Sequence, residues 1–221
     1  MKIFSFFAGV GMLDLGFQEA GYEVVFVNEY KQEFMNAYRY ARRGRNYNQP
    51  VYGYHVTDIN YFLNGIGEHN FQQYINNERH NNELVGFIGG PPCPDFSIGG
   101  KNKGREGENG KLAKSYIDMI CRFQPDFFLF ENVKGLVKTL KHREYFEELK
   151  FELKSNGYII SEQLMNSLEF GVPQDRDRIF MMGVLKGNEL ARKVISVNDT
   201  FAFPWNADLP YDSALVKKMN C

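Results

Sequence analysis

Cysteine is scarce in this 221-residue chain: Cys93, Cys121 and Cys221 are its whole complement, with neither a C-x-x-C pair nor a cysteine–histidine spacing that suits a metal. So small and odd a set argues against a disulfide framework and against zinc, and it implies a reducing compartment, the cytoplasm. Net charge is equally scarce. With 26 basic and 27 acidic residues and a formal charge of −1, no global field draws the chain to nucleic acid or membrane, so a polyanion must be met by local patches. Long apolar runs are missing too, since none approaches the roughly 18 residues that a membrane span requires. Lys2 followed by Ile3 to Leu13 imitates a short secretory signal, but Asp14 interrupts it and no small-x-small cleavage site follows. No internal repeat and no linker is visible.

What is present is an ordinary globular composition, 43% hydrophobic and 15% aromatic, with twenty phenylalanines that predict a dense aromatic core. Periodicity predicts a strand over 2–7, a glycine turn at Ala8–Gly11, a helix from Met12 to about Ala20, a strand over 24–27 and a helix over 32–43. The Asn- and Tyr-rich stretch 44–82 holds a weak strand near 52–56 and a helix over 68–79. A strand over 85–88, a glycine-rich surface loop over 99–110, a helix over 112–123 and a strand over 126–131 follow. An amphipathic helix over 139–155 then precedes strands over 158–165 and 178–184, which read as an antiparallel pair at a sheet edge. The pattern predicts an α/β fold, a mostly parallel sheet with helices on both faces and an antiparallel edge. Residues 1–185 form the domain and 186–221 a tail. Its Phe201, Phe203 and Trp205 are either draped on the domain or exposed for a partner polypeptide.

The unusual residues gather where an open α/β sheet binds ligands, at the carboxyl ends of its strands. Phe7, Gly9 and Gly11 follow strand one, Glu29 ends strand two, Asp58 lies near the end of the third, Cys93 follows the fourth, and Glu131 ends the fifth. Each alone has a plain reading. G-x-G makes tight turns without ligands, and strand-end acids are often solvated caps. Glu29, about 20 residues after the glycines, stands where such folds put an acid to accept ribose hydroxyls, yet G-x-G-x-x-G is not met. A nucleoside cofactor without a pyrophosphate suits that departure. Cys93 is flanked by Pro92 and Pro94, which restrict the backbone and present one thiol; the alternative is a tight turn holding a small apolar residue.

Phe-Phe-Ala-Gly-Val-Gly (6–11), Asn-Glu-Tyr (28–30), Gly-Gly-Pro-Pro-Cys-Pro-Asp-Phe-Ser (89–97), Glu-Asn-Val (131–133) and Gln-Asp-Arg-Asp-Arg (174–178) resemble, in order and spacing, the signature blocks of the cytosine-5 DNA methyltransferases. The resemblance implies a Rossmann-like fold, S-adenosyl-L-methionine as cofactor with S-adenosyl-L-homocysteine as product, and a flipped-out cytosine in double-stranded DNA as substrate. It also implies a restriction-modification setting in a prokaryote or phage. By that match Phe7, Ala8, Gly9, Val10, Gly11, Glu29, Tyr30, Asp58, Ile59, Gly90, Pro92 and Leu112 line the cofactor pocket. Cys93 is then the nucleophile, Glu131 holds the ring, Arg178 reaches the cytosine O2, and Arg176 either assists or pairs with Asp126 or Asp177. No metal and no membrane enters this reading.

Family members continue into a target-recognition domain and a final block, and the match here covers the catalytic half of that pattern. A split enzyme with a second polypeptide, a truncation, tRNA cytosine-5 methylation and a non-catalytic cofactor-binding regulator are the alternatives. Lys101, Lys103, Arg105, Lys111 and Lys114 suit phosphate contacts by the glycine-rich loop. Arg39, Arg42, Arg43 and Arg45 read as a solvated helix face. Cys121 and Cys221 receive no role.

Overall fold

The computed structural model describes residues 1–44, 47–92, 108–138, 140–195, 201, 203–205 and 210–212. β1 (Lys2–Phe6) sets the framework: Phe4 and Phe6 feed one core and Ile3 another, on opposite faces of the strand. Burial on both faces marks a central parallel strand. After it come α1 (Met12–Glu19), β2 (Glu23–Glu29), α2 (Gln32–Ala41), β3 (Tyr54–Val56), a 3-10 turn (Ile59–Leu63), α3 (Gly65–His80) and β4 (Val85–Gly89). The second half holds α4 (Glu108–Phe123), β5 (Phe127–Val133), α5 (Gly135–Lys138), α6 (Leu140–Ser155), β6 (Tyr158–Asn166), a 3-10 turn (Ser167–Phe170), β7 (Asp177–Leu185) and α7 (Glu189–Val194).

The strands lie in the order β3-β2-β1-β4-β5-β7-β6. The first five are mutually parallel, and β7 is antiparallel to both β5 and β6. Strand order reverses between β1 and β4, so the crevice where such sheets take ligands opens between their carboxyl ends. The expected α/β sheet with helices on both faces and an antiparallel edge is the one found. Its finer order was not expected, because β7 lies inside β6.

On one face α3, α4 and α6 bury Phe71, Ile75, Tyr116, Ile120, Phe146 and Leu149. Phe71 is fully enclosed, with ring centroids of Phe4, Phe26 and Phe123 at 5.5, 5.0 and 4.8 Å. On the other face α1, α2 and α7 bring Leu13, Phe17, Met35, Tyr38 and Ala191 to the sheet.

Several boundaries moved for local reasons. The helix expected from Leu112 starts at Glu108, where the Tyr145 hydroxyl donates to the Gly110 carbonyl at 2.6 Å and anchors the first turn. The stretch expected as one helix over 139–155 is α6, preceded by the separate turn α5. α7 lies where periodicity fades, and it is capped by Asn188, whose side chain accepts from Ala191 N–H at 2.7 Å.

The tail aromatics are not an exposed surface, which corrects one of the two readings above. Phe201 is buried, Phe203 and Trp205 pack against the same cluster, and Trp205 Nε1–H donates to Ser161 Oγ at 2.7 Å. The reason is the sheet beneath them. Beyond α1 this face carries Phe127, Leu129, Phe180 and Met182, and the six-residue α7 covers little of it. A groove of about 960 Å³ remains there, running from Leu13 and Phe17 past Phe127 and Phe180 to Trp205, with Gly90, Glu131, Arg176 and Arg178 at one end.

Candidate active site

The turn after β1 is bound on two sides. Phe7 leaves the strand with φ +52°, a left-handed backbone that costs a non-glycine residue of order 1–3 kcal/mol. Its ring stands edge-on to Tyr116 at 6.1 Å, and the next amide, of Ala8, donates to the Asn28 carbonyl at 3.1 Å. Gly9 N–H donates to Glu29 Oε2 at 2.9 Å, and Gly11 N–H closes the turn on Ala8 O at 2.8 Å. Gly11, at φ +86°, precedes α1, and any side chain there would collide with the Arg42 guanidinium and the Tyr38 ring. Above Gly9, by contrast, an added carbon would meet nothing within 4 Å, and Val10 is exposed. The outer face of the turn is open to a ligand, and the inner face is packed solid.

Glu29 ends β2 almost buried, with Oε2 on Gly9 N–H and Oε1 accepting from Lys31 N–H at 2.9 Å. Each oxygen retains a lone pair, so the carboxylate can still accept from a pair of hydroxyls. Tyr30 beside it is exposed. Asn28 points the other way and ties β3 to β2, donating to His55 O at 3.2 Å and Thr57 O at 2.9 Å. Asp58 stands exposed at the head of the 3-10 turn, accepting Asn60 N–H at 2.8 Å, whereas the Ile59 side chain is buried in the core. Leu112 is half-buried near the start of α4 and packs on the same core.

Across the crevice, Gly90 and Pro92 follow β4, and Cys93 lies outside the described residues, as do Lys101, Lys103, Arg105, Arg45 and Cys221. Glu131 reaches this segment from β5. A side chain at Gly90 would put its first carbon 2.8 Å from Glu131 Oε2 and push that carboxylate aside. Asn132, on the opposite face of the strand, donates to Pro91 O at 3.3 Å and holds the loop down. Arg178 Nε pairs with Glu131 Oε1 at 2.8 Å, with both side chains partly shielded, and Nη1 donates to Asp177 O at 2.7 Å. Burial pushes the Glu131 carboxyl above the ordinary range, while Arg178 and then Arg176 pull it back. Burial likewise lowers Arg178. Arg176 is exposed and lines the same end of the groove, and Asp177 is engaged by Lys134 at 2.5 Å. Asp126 accepts from Val85 N–H at 2.8 Å.

Two supports escaped the sequence reading. Asn166, nearly buried at the end of β6, donates to Asp175 Oδ1 at 2.7 Å and Asp177 Oδ1 at 2.8 Å, pinning the strand that carries Arg176 and Arg178. Alternation of Asp and Arg over 175–178 was the available signal, because a strand sends alternate residues to opposite faces. The second is a buried polar cluster under the glycine turn. Asp14 is fully enclosed and accepts from Ser5 Oγ and Tyr38 OH, both at 2.7 Å. Burial raises Asp14 too, against the hydrogen bonds and the nearby Arg42 charge. Cys121 is half-buried, and burial pushes its thiol up to about 12, which makes it unreactive. Among the described residues no group of three or more His, Cys, Asp or Glu could hold a metal, and no helix is long and apolar enough to cross a membrane.

A doubly wound sheet with these groups at one rim defines the Rossmann-like methyltransferase class. The protein described as a DNA modification methyltransferase encoded within an E. coli prophage superposes with a TM-score of 0.64 at 26% identity, over 90% of this chain and 49% of its own. The family model for C-5 cytosine-specific DNA methylases matches residues 1–218, and the chain belongs to that family. It is 48% identical over 215 residues to the Type II methyltransferase M.NmeDI of Neisseria meningitidis serogroup C, covering 97% of this chain and 49% of that protein. M.FnuDI of Fusobacterium nucleatum, another Type II methyltransferase, is 31% identical over 205 residues, 93% of this chain and 51% of its own. The chain thus spans about half the length of these relatives.

Proposed function

We propose that the whole protein is a DNA cytosine-5 methyltransferase of a restriction-modification system, working in the cytoplasm with S-adenosyl-L-methionine. The observation that carries this reading is the half-buried Glu131–Arg178 pair set against Gly90, three residues before Cys93. The cofactor supplies a methyl group on a sulfonium. Phe7, Ala8, Gly9, Val10 and Gly11 receive it along the open face of the turn, and Glu29, beside Tyr30, accepts the ribose hydroxyls. Asp58, the backbone of Ile59, Gly90, Pro92 and Leu112 complete the pocket. The fit rests on the free lone pairs of Glu29 and the open space above Gly9.

The residues divide the work on a flipped-out cytosine. The Cys93 thiolate adds to C6 and the displaced electron pair makes C5 nucleophilic, ready for the methyl carbon that a bound cofactor would supply as its sulfonium became a thioether. Glu131, kept protonated more readily by burial, donates to N3 and offsets the charge that addition places on the ring. Arg178 binds O2 while holding Glu131, and Arg176 adds positive charge at the same end. A base then removes the C5 proton, and the electron pair expels Cys93. DNA recognition comes from polypeptide beyond these 221 residues, in the same chain or a second one. The half-length match and the open apolar groove support that.

The test is incubation with S-adenosylmethionine and mixed-sequence DNA containing 5-fluorocytosine, then denaturing mass spectrometry. Wild type gives an adduct at Cys93, because fluorine blocks the proton loss that releases the enzyme. Cys93→Ala gives none and lowers methylation about a thousandfold or more while binding the cofactor normally. Methylation retained in Cys93→Ala refutes the mechanism. If wild type binds cofactor without forming an adduct, the same assay repeated with the full-length gene product tests the need for further polypeptide.

A further inference from the structure

Arg42 was read from the sequence as part of a solvated helix face, and the structure puts it elsewhere. It is 7% exposed at the end of α2, and its guanidinium carbon lies over the Tyr38 ring, 3.7 Å from the centroid. Nη2 donates to the Gly11 carbonyl at 2.9 Å and Nε to Gln18 Oε1 at 3.2 Å. Gly11 O also accepts Leu15 N–H at 3.0 Å, so Arg42 binds the carbonyl that starts α1. Beneath it the Tyr38 hydroxyl and Ser5 Oγ hold the two oxygens of the enclosed Asp14. One buried carboxyl, one buried cation and one aromatic ring therefore join β1, α1 and α2 directly under the turn whose outer face is open.

We propose that Arg42 is a positioning residue for the cofactor: stacked on Tyr38 and bonded to Gly11 O, it holds the Ala8–Gly11 turn in the shape that binds S-adenosylmethionine. This rests on the reading of that turn as the cofactor site. The physical case is one of preorganisation. The turn carries left-handed backbone at Phe7, Gly9 and Gly11, a shape the local chain does not favour unaided at Phe7. Glu29 fixes it from the ligand side at Gly9 N–H, and Arg42 fixes it from the core side at Gly11 O. Without Arg42 the Gly11 carbonyl loses its side-chain donor, Asp14 loses a nearby cation, and the start of α1 is free to shift. A ligand must then restore the turn at the expense of its own affinity. Lysine cannot replace it fully, since an ammonium has no flat face to stack on Tyr38 while bonding both acceptors.

The measurement is S-adenosylmethionine affinity by calorimetry on the whole chain, for wild type, Arg42→Met, Arg42→Lys and Glu29→Ala, each with its thermal midpoint. Asn188→Ala serves as a stability control, because it uncaps α7 far from the turn. Arg42→Met is expected to weaken cofactor binding about tenfold or more, with Arg42→Lys recovering part of the loss. Asn188→Ala should lower the midpoint and leave affinity unchanged. If Arg42→Met fails to fold, Tyr38→Phe, which keeps the stacking ring and removes only the Asp14 bond, should weaken binding severalfold. Affinity within twofold of wild type in Arg42→Met, or in Tyr38→Phe where that variant stands in, overturns the proposal. With Glu29→Ala weakened in the same series, the cofactor reading survives that result. If neither Glu29→Ala nor the Arg42 variants change affinity, it is the assignment of the turn that fails.

Discussion

Single carboxyls in this protein differ by what encloses them. Asp14 and Glu131 are both raised by burial, so the folded chain keeps their protons to higher pH than the unfolded chain does. The stability they contribute is fully present below the ordinary carboxyl value of about 4 and is lost as pH rises through the raised values. Asp14→Asn cannot ionise and retains an acceptor for one of the two hydroxyls. Its unfolding free energy in urea should therefore fall less than that of wild type as pH rises above the ordinary carboxyl value of about 4. Equal slopes would mean that Asp14 titrates normally despite its enclosure. Glu131→Gln should keep cofactor affinity and lower methylation by about 10²–10⁴-fold, since an amide cannot pass a proton to N3. The glycine turn and the strand-end acids were legible, because each is a local signal. Their supports were not: nothing near Arg42 in the chain marks it as buried, and three of its arginine neighbours made a solvated face the simpler reading.

Elements were readable wherever burial imposes a period. β1, β2, β4 and β5 are short apolar runs bounded by glycines or polar residues, and the sequence places each within about two residues. Boundaries slipped where a remote side chain decides, as when Tyr145 extends α4 to Glu108. The aromatic core binds these elements together, and Phe71 of α3 is its hub, with Phe4, Phe26, Phe87 and Phe123 around it. Phe71→Ala should cost about 3–5 kcal/mol in urea unfolding, since a fully enclosed ring leaves a cavity that five packed elements cannot close. A loss below about 1 kcal/mol would show that this face repacks readily.

At the scale of the whole molecule the two faces of the sheet are unequal. α3, α4 and α6 seal one side, whereas the other leaves the groove over β5, β7 and β6 to be roofed in part by Phe201, Phe203 and Trp205. This apolar channel lies beside the Glu131–Arg178 pair. Trp205→Ala should open it more, raising the fluorescence of an apolar dye such as anilinonaphthalene sulfonate and lowering stability by about 1–3 kcal/mol. Unchanged dye binding would mean that the indole shields nothing.

Local pattern was enough for the parallel α/β plan, the glycine turn, the acids at strand ends and the family, because each is written in neighbouring residues or in short blocks of fixed order. The lateral place of a strand is not written there. β6 and β7 have the same alternating character, and either could have lain against β5; contact of β5 with β7 comes from packing across the whole sheet. That choice pairs Val133 with Arg178 across the ladder, puts the start of an antiparallel strand at the rim where parallel strands end, and so brings Arg178 to Glu131. The same holds for Arg42, which reaches the glycine turn because α2 packs beside α1, an arrangement of surfaces that no local periodicity specifies.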